Sequence, residues 1–173
     1  NEYAFIAQIY EPLFQYHYLK KPYQLVPLAA KEMPKLLYLD HNFKNTKDKN
    51  NIAYVKYTLK IKKGILYQNH PAFYKVENDY KYHNLNEIEL DKIDTIQDFE
   101  NESTRELVSD DYIYQIKRLA DYKNHSPISG VMQGYILGFS EYIKKIEEFK
   151  HSSNFDRVKF IKSNSIKGIK KID

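Results

Sequence analysis

The stretch Ala53–Phe73, AYVKYTLKIKKGILYQNHPAF, decides how this chain is read. Val55, Tyr57, Leu59 and Ile61 alternate with Lys56, Thr58, Lys60 and Lys62, the period of two of a strand with one buried and one solvated face. Lysines on the wet face discourage edge-to-edge pairing with another chain. Lys63-Gly64 supplies a turn, because glycine adopts positive φ without a Cβ clash, and Ile65-Leu66-Tyr67 resumes an apolar run. The spacing predicts a hairpin or a sharply bent strand pair, closed at His70-Pro71 where proline removes a ladder donor.

Upstream, Phe5, Ile6, Ile9, Tyr10 and Leu13 recur at helical spacing with Asn1 as a cap and Glu2 near the positive end of the dipole, and Pro12 limits that helix to about three turns. Pro22, Pro27 and Pro34 then divide the chain into short pieces, with one or two helical turns expected over Leu28–Met33 and a short strand over Leu36–Leu39. HNFKNTKDKNN follows as a polar loop. Downstream, residues 74–103 read as an acidic insertion with a short helix or strand. From Ser109 a helix is predicted: Tyr112, Ile113, Ile116, Leu119 and Ala120 form one stripe, Asp110 and Asp111 suit the first turn, and Lys117 and Arg118 the last. Asn124–Pro127 breaks it. One helix or two are expected over Ile128–Phe149, and one or two strands over Val158–Ile172. The strand stripe of Val55, Tyr57, Leu59 and Ile61 is expected to pack on the helix stripe of Ile113, Ile116 and Leu119, since each needs an apolar partner of similar length.

The chain has 173 residues, 42% of them apolar, with 17 tyrosines against 9 phenylalanines. This composition folds, and one ordinary domain, or one piece of something larger, is the expectation. A net charge of +4, from 27 basic and 23 acidic residues, is too mild and too mixed in sign to argue for a polyanion partner. Absence of cysteine excludes disulfides and thiolate metal sites while leaving the compartment open. No apolar run approaches the roughly 18 residues that span a bilayer, and the first residues lack the pattern of a signal peptide. A soluble mature piece, cut at both ends from a longer protein, is expected.

The succession IYEPLFQY, QLVPLAAKEMP, VKYTLKIKKGILYQNHPAF, ELVSDDYIYQIKRLAD and HSPISGVM resembles the N-terminal part of the family 5 extracytoplasmic solute-binding proteins, which serve oligopeptide and dipeptide ABC transporters. In that family a helix ending in an IYE-x-L pattern precedes L-x-P-x-L-A, a strand and a basic-glycine hairpin follow, and a helix precedes an SP segment. Asn69-His70-Pro71 departs from the usual aspartate-glycine turn, and the residues between Phe73 and Thr104 have almost no counterpart there.

The resemblance implies a mixed α/β fold, the N-terminal lobe portion of a type II periplasmic-binding-protein fold. Residues 1–24 would be the first helix and the start of lobe I, residues 25–173 its contiguous extra subdomain, and the second lobe would lie outside this chain. It implies a monomeric, non-enzymatic component of an importer, periplasmic or a cell-surface lipoprotein. Its partners would be a peptide or small solute and the membrane permease, with no cofactor, metal or nucleic acid. The ligand-facing residues carried over are Glu2 and Tyr3, at the start of the first helix, and Ser129, Met132 and Gln133 after the SP segment. Met and Gln suit a peptide, which needs adaptable apolar contacts and backbone-compatible donors and acceptors.

Other chemistries find little support in the residues. His17, His41, His70, His83, His125 and His151 are scattered without the i, i+4 pair or cysteine partners of a zinc site. Glu87, Glu89, Asp91 and Asp94 sit in a polar segment and read as solvated, while Ser126 and Ser129 have no identifiable base or nucleophile elbow. The alternative reading is a single-stranded nucleic-acid or protein-interaction module, from lysine interleaved with tyrosine over Lys56–Lys63 and Tyr74–Tyr82.

Overall fold

A computed structural model describes residues 10–149, 152 and 155–172 of the chain. The fold is mixed α/β; among the described residues it comprises three two-stranded antiparallel ribbons and five α-helices. The chain divides into two compact units between Leu107 and Val108. Most of the helix expected over the first segment lies outside the described residues.

In the first unit, β1 (Phe14–Tyr16) pairs with β2 (Leu25–Pro27), and β3 (Lys35–Leu39) with β4 (Tyr54–Thr58). The expected strand at Leu36–Leu39 is therefore present. Its loop to β4 is a local device: the Asp40 carboxylate accepts from the backbone N–H of Asn42 and Lys44, and Phe43, at φ 60°, stacks on Tyr54 with ring centroids 4.8 Å apart. Leu28–Met33 forms no helix. Ala29 and Ala30 are fully buried, and Ala30 bridges Ile61 while Lys62 N–H donates to the Ala29 carbonyl.

The hairpin expected over Ala53–Phe73 does not form. Gly64 makes the turn at φ +79°, but the two arms do not pair with each other. The arm before it pairs upstream, with β3 and with Ala30, and the arm after it pairs downstream. There Tyr67 N–H donates to the Arg105 carbonyl, Leu107 N–H to that of Ile65, and His70 and Ser103 exchange both backbone hydrogen bonds. The insertion between them holds a two-residue ribbon, β5 (Lys75–Val76) with β6 (Asp79–Tyr80), and α1 (Glu87–Leu90), which starts with a reciprocal Asn86–Glu89 cap.

The expected burial of the β4 stripe is not found. Val55 is 37% exposed, Tyr57 60% and Leu59 45%, with Ile61 half-buried. Among the described residues the sheet has two strands, and Leu36, Leu37 and Tyr38 opposite are exposed as well; a two-stranded ribbon without a second layer leaves both faces uncovered.

The helix stripe packs within the second unit instead. There α2 (Ser109–Leu119), α3 (Ser129–Tyr135), α4 (Phe139–Glu147) and α5 (Arg157–Ser163) surround a core of Ala120, Phe139, Tyr142 and Ile166, joined by Ile116, Leu119, Met132, Ile136, Ile143, Phe160 and Ile169. Phe139, Tyr142, Ile143 and Ile146 follow the i, i+3, i+4, i+7 pattern that puts one helix face inward. Gly138, at φ +81°, separates α3 from α4, so the expected segment is two helices. The tail is a correction: Val158–Ile172 contains no strand, because Asp156 caps the N–H of Lys159 and Ile161 turns inward, 3% exposed, from one helical face.

Candidate functional site

The helix α3 displays its residues by simple geometry. Ser129 and Gln133, four apart, lie on one face, whereas Met132 and Ile136 fall on the next and join the core. Ser129 and Gln133 line a depression of about 190 Å³ together with Leu119, Ala120, Asp121, Tyr122, His125, Ser126, Ile143 and Glu147. Two of the five residues expected to face ligand are thus brought together. Met132 serves packing and does not line the depression, and Glu2 and Tyr3 lie outside the described residues. Gln133 Oε1 accepts from the Ser140 hydroxyl at 3.4 Å, which steadies the amide and leaves its NH₂ as the donor end.

Among the lining residues, Asp121 is both polar and buried, and Arg157 and Tyr142 lie behind the lining near it. Asp121, 5% exposed, follows the end of α2; its carboxylate accepts from Lys123 N–H at 3.0 Å and lies 3.7 Å from Arg157 Nε. Arg157 also donates to the Tyr122 hydroxyl and stacks over the Tyr122 ring. Burial, with the negative charge of Asp121 second and Tyr114 third, pushes the Tyr142 hydroxyl up to about 12. Among the described residues, neither the Tyr142 hydroxyl nor Arg157 Nε has a hydrogen-bond partner. Residues 122–125 reverse the chain at the rim, with Asp121 capping a short 3-10 turn and His125 in the left-handed region at φ 44°.

The arrangement offers hydroxyl, amide, imidazole and carboxylate groups around an apolar wall of Leu119 and Ile143. It can hold a small polar solute or one end of an extended chain. Asp121, His125 and Glu147 had no signal of this kind in the sequence, since an acid after a helix end and a histidine before a serine are both ordinary surface features. Among the described residues, no group of three or more His, Cys, Asp or Glu side chains is arranged to hold a metal ion, and no described helix is long and apolar enough to cross a membrane.

A second, wider depression of about 410 Å³ lies at the neck of the insertion, lined by Phe73, Tyr74, Lys75, Tyr80, Ser103, Thr104 and Arg105. Its cations already cover its rings: Arg105 lies 4.6 Å from the Tyr67 centroid and 5.1 Å from that of Phe73, and Lys75 lies 4.5 Å from that of Tyr80. Lys81 spans Tyr74 and Tyr82 in the same way, and Tyr82 packs edge-on against Phe99. These contacts tie the segments of the insertion to one another and set cations over its aromatic rings.

No family model, curated protein or solved structure matches the chain at a significant level.

Proposed function

We propose that this chain is part of the solute-binding component of an ABC importer, a non-enzymatic protein that captures a peptide or related small solute and presents it to a membrane permease outside the cytoplasm. The reading rests on the ordered segments from IYEPLFQY to HSPISGVM. It is supported by one observation in particular: Ser129 and Gln133, carried over from that resemblance, line one depression together with the buried Asp121. In this reading the first lobe supplies one wall of an interlobe cleft and a second lobe supplies the other, in line with the tendency of ligand sites to lie between domains and to close by hinge motion. Hydrogen-bonding groups on α3 then meet the ligand backbone while Leu119 and Ile143 accept apolar side chains.

The test is calorimetry with mixed di- to pentapeptides, on the 173-residue chain and on the protein carrying both lobes. The two-lobed protein is expected to bind, and Gln133→Ala to weaken it about tenfold, the loss of one buried polar contact of roughly 1.4 kcal/mol, without lowering the melting temperature. The single lobe, offering half a pocket, is expected to bind nothing measurable. Mass spectrometry of small molecules released from the two-lobed protein names the ligand class. Binding of single-stranded oligonucleotides by the 173-residue chain, falling steeply with salt as phosphate contacts demand, would replace this reading with the Lys/Tyr module.

A further inference from the structure

The tip of the β1–β2 hairpin gathers exposed aromatic, apolar and basic side chains. His17 N–H donates to the Gln24 carbonyl at 2.7 Å, extending the ladder up to residues 18–23, YLKKPY, all of which are exposed. Tyr18 is 96% exposed, Leu19 79% and Tyr23 76%, and Tyr16 packs edge-on against Tyr23 at its base. Lys20 and Lys21 are exposed beside them, and no acidic residue occurs from Pro12 to Lys31. Exposed apolar side chains of this size gathered at one point mark an interaction surface.

The shape and chemistry select the partner. A convex tip offers no cradle for a small ligand, but it can wedge into a soft surface. Tyrosine rings prefer the headgroup level of a bilayer, with the apolar body inward and the hydroxyl wet. Lysines beside them are attracted to anionic lipid. Pairing with a second copy would set Lys20 and Lys21 of each chain against those of the other. A nucleic acid would gain nothing from Leu19, and two lysines track too few phosphates. We propose that this hairpin tip docks on an anionic bilayer surface, with Leu19 and Tyr18 entering the headgroup layer and Lys20 and Lys21 meeting lipid phosphates. The inference stands apart from the solute-binding reading, since the tip lies far along the chain from α3 and shares no residue with its depression.

Co-sedimentation of the 173-residue chain with vesicles tests it, comparing phosphatidylcholine alone with phosphatidylcholine containing phosphatidylglycerol, at low and high salt. Binding is expected only with phosphatidylglycerol and is expected to fade with salt. Each lysine near such a surface is worth about a fivefold change in partitioning, so Lys20→Ala with Lys21→Ala should reduce binding about 30-fold. Leu19→Ser should reduce it about tenfold, the partial burial of one leucine side chain. The chain contains no tryptophan, so Leu19→Trp provides a lone reporter whose emission should shift to the blue on adding these vesicles. An unshifted spectrum, absence of sedimentation with phosphatidylglycerol vesicles, or equal sedimentation of the lysine variant overturns the proposal. So does Leu19-dependent self-association without lipid, which would assign the tip to a second copy.

Discussion

Asp121 and Tyr142 are both buried in the second unit, and opposite consequences follow from removing their polar atoms. The Asp121 carboxylate is the acidic partner of Arg157, whose Nε is otherwise unsatisfied among the described residues. Asp121→Ala is expected to cost about 2–3 kcal/mol in urea unfolding, below the full penalty for breaking a buried pair because the 3.7 Å separation is long and Arg157 is partly solvated. Tyr142→Phe removes a hydroxyl with no hydrogen-bond partner among the described residues and should leave stability at neutral pH unchanged, or raise it by up to about 1 kcal/mol. Its effect appears in alkali. Between the ordinary value of 10.0 and about 12 the unfolded chain has released the Tyr142 proton while the folded chain retains it. Stability present below pH 10 is therefore lost as pH rises, by about 1.4 kcal/mol per pH unit. Urea melts of both proteins from pH 9 to 11 should show the loss in the parent and its absence, for this group, in Tyr142→Phe. Ser129 and Gln133, four apart in a segment expected to be helical, could be placed on one face from the sequence. The burial of Asp121 could not, because it depends on Arg157, far downstream.

At the scale of elements, glycines in the second unit separate into two kinds. A Cβ at Gly138 would lie 2.6 Å from Lys167 Cβ, at a positive φ. Gly138→Ala is expected to lower stability by about 2 kcal/mol or more, from left-handed strain and overpacking together. Gly134, inside α3, meets nothing within 4 Å, and Gly134→Ala should raise stability by up to about 1 kcal/mol through helix propensity. Thermal melts followed by circular dichroism at 222 nm distinguish the two signs. Legibility followed the same division between local and distant causes. Ser109–Leu119 could be read as a helix because its stripe and end charges are local, whereas Ile128–Phe149 left one helix or two open, because Gly130, Gly134 and Gly138 look alike in the sequence and of these three Gly138 alone takes a positive φ. The tail misled because Val158, Phe160 and Ile172 suggest a period of two, whereas the Asp156 cap and the inward turn of Ile161 decide for helix. Partner choice for β4 was also hidden, since alternation tells which residues share a face and not which strand lies alongside.

At the scale of the molecule, apolar burial is unevenly shared. Phe139, Tyr142, Ile146, Ile161 and Ile166 are buried in the second unit, while in the first unit the described buried residues are Ala29, Ala30 and Pro71. Substitutions should follow that map. Leu59→Asp, which would unfold a chain whose β4 stripe was covered, is expected to change stability by only about 0.5 kcal/mol, the ordinary scale of a surface substitution, whereas Phe139→Ala should cost about 3–5 kcal/mol; urea titration of each variant provides the comparison. The exchange of hydrogen bonds between His70 and Ser103 has a separate consequence. The chain leaves the body and returns to it at one closed neck, so whatever is spliced between those residues is cargo that the ladder does not inspect. Lengthening such a loop raises its closure entropy only slowly, and a two-residue Asn-Gly turn could close the same ladder. The neck is thus a port through which a chain of this design can gain, exchange or discard a surface module while the strands on either side stay in register.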